Sequence, residues 1–339
     1  MTDTRRQVDA ERGPAALATL ATPMSVRVAA TLRLADHLAP GPRTAAQLAA
    51  ATGTHAPTLD RLLRHLCTLG LLHHDTPGRY RLTADGEPLR EDHPGALRAR
   101  LALDGPEGLA DLSFIHLLHT VRTGEPAFPR QYGHTFWEHL AEDDALTAAF
   151  HHRMGRAVDT LAPAVAAAYD WAPLEHVVDV GGGNGSLLTA LLLRCPRLRG
   201  TVLDLPDAAP AAERAFADAG VAPRAAFVAG SFFDPLPPGA PAYVLSAVLH
   251  NWGDDDARAI LRRCAEAAGH EGRVLVIEKS APAGGAPGTE EDLRMLAYFG
   301  ARERGADEIR RLAATAGLTA TGVHPAGPVA VVELRGART

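Results

Sequence analysis

Residues 177–188, VVDVGGGNGSLL, carry an apolar run through four glycines into a second apolar run with helical spacing. A strand that passes through such a loop into a helix offers bare backbone to a ligand. A dinucleotide site requires G-x-G-x-x-G, whose third glycine lets the helix pack tightly on the strand. Here Gly181 and Gly183 fill the first two positions, but Ser186 stands at the third and the extra glycine, Gly185, falls early. Asp179 precedes the loop. Asp204 closes the next apolar run, TVLDLP, about twenty residues on, where a carboxylate accepts the two hydroxyls of a ribose. No lysine or arginine lies nearby to meet a phosphate. The stretch reads as the seat of a nucleoside without phosphates.

Outward from this loop the pattern is strands alternating with helices. Apolar strand candidates are 177–180, 201–205, 225–229, 242–246, 273–278, 318–323 and 329–334, with amphipathic helices between the first five. This predicts an α/β fold, a mostly parallel Rossmann-like sheet covered on both faces, with ligands beyond the carboxyl ends of its strands. The chemistry-bearing residues fall at those ends. The third run leads into AGSFFDPLP, where Gly230 and Ser231 precede Phe232 and Phe233; either ring could stack on a purine, although both could equally fill core. The fourth gives YVLSAVLHNWGDDDA, with His250 and Trp252 just past the strand and Asp254–Asp256 read as the cap of the next helix.

Upstream, residues 44–51 and 57–72 have helical spacing around a turn at Gly53, and short extended pieces at 71–74 and 79–82 flank Pro77 and Gly78. That is a helix-turn-helix with a wing. Its second helix carries Arg61 and Arg64 beside Asp60, with leucines at 59, 62, 63, 66 and 69 on more than one face. A groove-reading helix needs more polar reach, so dimerisation fits better than DNA binding. Residues 83–176 are mainly helical, with FWEHL at 136–140, a helix over 145–168 and a long loop, GEPAFPRQYGHTFW, at 124–137. The expected organisation is a winged-helix-like domain over 1–105, a helical, substrate-lining segment over 106–176, and a catalytic domain over 177–339.

With 339 residues the chain can bury a large core. Its net charge of −6 disfavours a dedicated nucleic-acid binder. The three cysteines, Cys67, Cys195 and Cys264, are too scattered for a metal-ligand pattern, so no metal is expected. Lys279 is the only lysine, which fits the coding bias of a GC-rich genome. No apolar run reaches membrane-spanning length and no secretory stretch opens the chain; the expectation is a cytoplasmic protein.

DVGGGNG, LDLP, GSFFDPLP, LSAVLHNW and DLRML followed by RER resemble, in order and spacing, the S-adenosylmethionine-dependent O-methyltransferases of the plant caffeate and flavonoid type. GEPAF, FWEHL and AAAYDW suit the bacterial branch that decorates aromatic polyketides and antibiotics. The resemblance covers nearly the whole chain and implies a seven-stranded methyltransferase sheet, an N-terminal α-helical dimerisation domain, and a homodimer acting on a small aromatic hydroxyl. It implies that Gly181 and Gly183 approach the methionine end of S-adenosyl-L-methionine, Asp204 its ribose, Phe232 and Trp252 its adenine, and Ser246 the cofactor from the fourth strand, with Asp179, Leu205, Gly230 and Ser231 also in the cofactor site. His250 matches the family's base, and Glu278 and Glu303 the acids flanking it. Met154, Asn251, Met295, Phe299 and Arg302 fall where the substrate is lined. The family often has aspartate at Ser231, aspartate at Asn251 and threonine at Gly305.

A phenol, with a pKa near 10, is a poor nucleophile at neutral pH, and histidine, with a pKa of about 6.5, is suited to take its proton. A carboxylate on the other ring nitrogen would fix the tautomer; Glu278 or Glu303 could do so. In the plainer readings Glu303 is a surface charge between two arginines and Glu278 an ion pair with Lys279 or a nearby arginine. Three rivals stand beside the methyltransferase. A methyltransferase-like hydroxylase or decarboxylase would yield a product without an added methyl group. A ligand-responsive winged-helix regulator needs a basic recognition helix, and a nicotinamide enzyme needs the glycine that Ser186 replaces.

Overall fold

The computed structural model describes residues 13–75, 78–279 and 288–336. The chain divides into two compact units between Leu112 and Ser113.

In the first unit, β1 (Arg43–Thr44), β2 (Leu72–Asp75) and β3 (Arg79–Leu82) form an antiparallel sheet in the order β1-β3-β2. Helices α1 (Ala45–Thr52) and α2 (Ala56–Thr68) precede the wing. Thr44 starts α1 with a reciprocal cap: its hydroxyl accepts the Gln47 N–H while the Gln47 side chain accepts that of Thr44. Leu59, Leu63 and Leu66 of α2 are buried with Leu48, Leu72 and Tyr80, while Leu62 and Leu69 pack partly buried against them. Arg61 and Arg64 are exposed, and Arg64 pairs with Asp60. The helix thus spends its leucine face on this unit's own core. Of the wing's turn signal, Pro77 lies outside the described residues.

The second unit holds a seven-stranded sheet. Its strands are β4 (His176–Val180), β5 (Arg199–Asp204), β6 (Ala225–Ala229), β7 (Ala242–Ser246), β8 (Arg273–Lys279), β9 (Leu318–Ala326) and β10 (Val329–Gly336), in the order β6-β5-β4-β7-β8-β10-β9. All pairings are parallel except those of β10, antiparallel to both β8 and β9. The order reverses at β4, which pairs with β5 on one side and β7 on the other, so a crevice opens at its carboxyl end.

Alternation along the strands serves two cores. Val178, Val180, Tyr243 and Leu245 enter one, with α7 (Asp254–Ala268) and α9 (Ala306–Thr315); Val177, Val202 and Val244 enter the other, with α4 (Asp144–Ala168) and α5 (Ser186–Arg194). Burying each such side chain stabilises the fold by about 1.5–3 kcal/mol. Between α5 and β6 lies α6 (Ala209–Asp218), between β8 and α9 lies α8 (Thr289–Phe299), and α3 (Phe136–Ala141) precedes α4. Among the described residues no helix is long and apolar enough to cross a membrane.

Two local readings are corrected. The 124–137 stretch is not one loop: Ala127–Tyr132 is a short helix closed by Gly133 in the left-handed region. Asp254–Asp256 are not the cap of α7 but its first turn, with Gly253 at the cap position, where carboxylates still oppose the helix dipole favourably.

Candidate active site

The glycine loop leaves β4 and enters α5 at Gly185, which has φ +71° and would place a Cβ 2.6 Å from the Phe216 ring. Gly185 thus lets the Phe216 ring of the helix Ala209–Asp218 pack against the start of α5. From the other side, Gly155 of α4 lies so near the loop that a Cβ would meet the Asn184 side chain at 2.0 Å. Asp204 ends β5 with both oxygens engaged: one accepts the Gly183 N–H and the other that of Leu205, each at 2.7 Å. Burial pushes this carboxyl up, and those two N–H groups oppose the shift. Asp179 is buried beneath the loop with neither oxygen hydrogen-bonded among the described residues. Burial and then the charge of Asp204 push its pKa up to about 7.

These residues line a cavity of about 450 Å³ contained in the second unit. Of the anticipated cofactor residues, Asp179, Gly181, Gly183, Asp204, Leu205, Gly230, Ser231, Phe232, Ser246 and Trp252 all line it, as do Met154 and Asn251. Phe232, Phe233 and Trp252 pack edge to face, with centroids 4.9–5.6 Å apart, so the rings that line the cavity also lean on the core. Trp137, in the 124–137 stretch expected to close the substrate side, also lines it, as do Phe150, His151, Asn184 and Asp207, which were not singled out. Asp207, three residues after Asp204 in LDLPD, was within reach of sequence reasoning; His151 and Phe150 carry no local signal. The lining holds four carboxylates, Asp144, Asp179, Asp204 and Asp207, and none of the described lining residues is a lysine or arginine. That wall fits a cationic, phosphate-free nucleoside and opposes a pyrophosphate.

Past β7 the chain turns sharply at Ala247, a non-glycine residue at φ +54° held by its N–H on the Ile277 carbonyl. The next turn, Leu249–Asn251, carries His250 to Glu278 at the end of β8. Its Nδ1 lies 2.6 Å from one oxygen of Glu278, whose other oxygen accepts the Leu249 and His250 N–H groups. Glu278 is therefore not the ion partner of Lys279; it fixes the imidazole and leaves Nε2 for a proton from outside. Burial lowers the affinity of this ring for a proton, but the charge and hydrogen bond of Glu278, then the charge of Glu303, outweigh it, and the pKa rises from its ordinary 6.5. Glu303 is buried rather than a surface charge, and accepts from Lys279 Nζ at 2.8 Å. Arg304, also buried, donates to the carbonyls of Leu249 and Trp252 and to Asp254, clamping the His250 turn; in RER this arginine had been read only as a neighbour of Glu303.

His250, Glu278, Glu303, Met295 and Phe299 are not among the residues that line this cavity. Phe299 nevertheless lies 5.3 Å from Trp137 at 15°, and Trp137 is also near-parallel to Trp252, 6.0 Å away at 11°. Met295 is buried in α8. Arg302 is half exposed, pairs with Asp254, and lies outside the cavity wall. Donor atoms of His250, Glu278 and Glu303 fall within 4.8 Å of one another, as do those of His134, His139 and Glu142. In the first group the ammonium of Lys279 already sits on Glu303 and main-chain N–H groups on Glu278, which leaves little call for a cation.

Residues 114–319 match the model of the O-methyltransferase domain, and residues 16–89 that of the O-methyltransferase dimerisation domain. The chain belongs to the O-methyltransferase family. It is similar to 2,7-dihydroxy-5-methyl-1-naphthoate 7-O-methyltransferase of Streptomyces carzinostaticus, 56% identical over 95% of this chain and 97% of that protein. The crystal structure of the O-methyltransferase NcsB1 from neocarzinostatin biosynthesis, in complex with S-adenosylmethionine and 2-hydroxy-5-methyl naphthoic acid, superposes with a TM-score of 0.92 at 55% identity, covering 96% and 99% of the two chains. Aclacinomycin 10-hydroxylase RdmB of Streptomyces purpurascens is 47% identical over 92% of this chain and 85% of that protein. This O-methyltransferase uses S-adenosylmethionine, as the expected fold and glycine loop imply.

Proposed function

We propose that this O-methyltransferase methylates a phenolic hydroxyl of a flat, fused-ring aromatic acceptor of the hydroxynaphthoate class, with His250 as general base. The observation that carries the reading is the buried His250–Glu278 pair at 2.6 Å beside a cavity walled by aromatic rings. The cofactor, when bound, supplies an electrophilic methyl group on a sulfonium. Asp204 would hold its ribose, Phe232 and Trp252 its adenine, and Gly181, Gly183 and Asp179 its cationic methionine end. The near-parallel rings of Trp137 and Phe299 suit one face of a planar acceptor, with Met154, Met295 and Asn251 around it. His250 Nε2 takes the phenolic proton as the oxygen attacks; Glu278 and Glu303 stabilise the imidazolium until the proton leaves to water. Arg302, tied to Asp254 at the surface, is given no substrate role. The residues 16–89 would pair two copies into a homodimer, and the protein would work in the cytoplasm.

The test is incubation with S-adenosylmethionine and a panel of hydroxynaphthoates, phenazines and single-ring phenols, read by product mass. A hydroxynaphthoate that gains one methyl group fastest supports the reading; methylation confined to the other acceptors contradicts it. The likeness to aclacinomycin 10-hydroxylase favours one alternative, hydroxylation of a polyketide, which would instead add oxygen to the product.

A further inference from the structure

Lys279 is the single lysine in a chain whose other basic residues, 33 of 34 by count, are arginines. It stands one residue after Glu278 on β8, half exposed, with Nζ 2.8 Å from Glu303 and 3.9 Å from Glu291 of α8. Glu303 is buried, its second oxygen has no partner among the described residues, and its donor atoms lie within 4.8 Å of those of His250 and Glu278. One imidazole is thus approached by two buried carboxylates, only one of which it bonds. We propose that Lys279 is a positioning residue for the base: its ammonium engages Glu303 and offsets part of its charge, so that Glu278 dominates the state of the His250 ring.

The physical reason is the balance a base must strike. Each buried carboxylate near an imidazole favours the imidazolium, and a ring held as imidazolium cannot accept a phenolic proton. Glu303 raises the proton affinity of His250 and Lys279 lowers it. Glu278 and Lys279 from β8, Glu303 and Arg304 from the segment before α9, and Glu291 and Asp292 from α8 are the charged groups around this turn. Arg304 is committed to main-chain carbonyls and Asp254, and Asp292 accepts the main-chain N–H of Glu303, so the offsetting charge on the Glu303 carboxylate is that of Lys279. A compact ammonium serves here as a point charge.

The proposal rests on the reading of His250 as base, and the experiment separates the two. The His250 imidazole is titrated by NMR in the cofactor-loaded enzyme, its resonance identified by its loss in His250→Gln, and kcat/KM is measured over the same pH range. In Lys279→Met the midpoint is expected to rise by about one pH unit. It should stay at the parental value in Lys279→Arg and return toward it in Lys279→Met/Glu303→Gln. Acetylation of the folded protein, which has no other lysine, is a second route to the neutral side chain should Lys279→Met fold poorly; it should produce the same rise. An unmoved midpoint in both the Met variant and the acetylated protein overturns the proposal. A risen midpoint with an unmoved kcat/KM profile upholds the role of Lys279 and contradicts His250 as base.

Discussion

His250 works, or fails to work, through its second nitrogen, because Nδ1 is committed to Glu278. Its raised pKa keeps the ring charged above the ordinary 6.5, and only the neutral ring can accept a proton. Activity should therefore rise with pH through a midpoint above about 6.5. For folding the sign runs the other way: the pair contributes stability below the unfolded-state pKa, and that contribution is lost as pH rises through the folded value. In Glu278→Gln the activity limb should move to lower pH, as burial then dominates, while kcat falls about 10–100-fold; a pH profile of the variant checks both. Asp179 has the same sign for a different reason. Its pKa of about 7 means that it is neutral in the fold where an unfolded carboxyl is charged, so stability is lost as pH rises from about 4 through 7. Without cofactor, Asp179→Asn should melt several degrees higher than the parent at about pH 8 and bind S-adenosylmethionine more weakly; calorimetry with and without the cofactor reads both. At this scale the strand-end residues were legible because each stands where an apolar run stops. Arg302 misled because the RER segment alternates: Glu303 and Arg304 turn inward and Arg302 outward, which no local pattern in three charged residues reveals.

Between elements, α4 closes over the glycine loop through one close approach. Gly155→Ala would put a methyl group 2.0 Å from the tip of the Asn184 side chain, so either the amide turns aside and strains the hydrogen bond it accepts from the Ser186 N–H, or helix and loop separate. The expected outcome is a roughly tenfold weaker affinity for S-adenosylmethionine, about 1.4 kcal/mol, measured by titration calorimetry. Arg304 clamps the His250 turn, and Arg304→Met should cost about 2 kcal/mol, since it removes a buried donor from the Leu249 and Trp252 carbonyls and leaves Asp254 to Arg302 alone; denaturant unfolding gives that number. The seven strands were legible to within three residues at their ends because each is an apolar run between turn residues, most clearly in the buried parallel strands β4, β7 and β8. The six-residue helix Ala127–Tyr132 was not, since two prolines and two glycines around a single turn and a half leave no period to detect.

For the whole molecule, the matched dimerisation domain predicts twice the chain mass by light scattering at micromolar concentration; a monomer would contradict the homodimer. The cavity's four carboxylates and lack of lysine or arginine predict binding of S-adenosylmethionine and none of NAD. The phosphate-free nucleoside could be inferred from Ser186 and Asp204, but the acidity of the wall could not, because Asp144 joins Asp204 and Asp207 only when α4 folds over the carboxyl ends of β4 and β5. His250 as the base that deprotonates the acceptor is the step on which the chemistry depends. The most direct measurement is kcat/KM against pH for the parent and His250→Gln, with one hydroxynaphthoate and product mass as readout. A rising limb is expected in the parent, and in the variant a loss of about 100-fold or more with that limb abolished. Near-parental turnover with the same profile would mean that alignment of oxygen and methyl carries the reaction without a base.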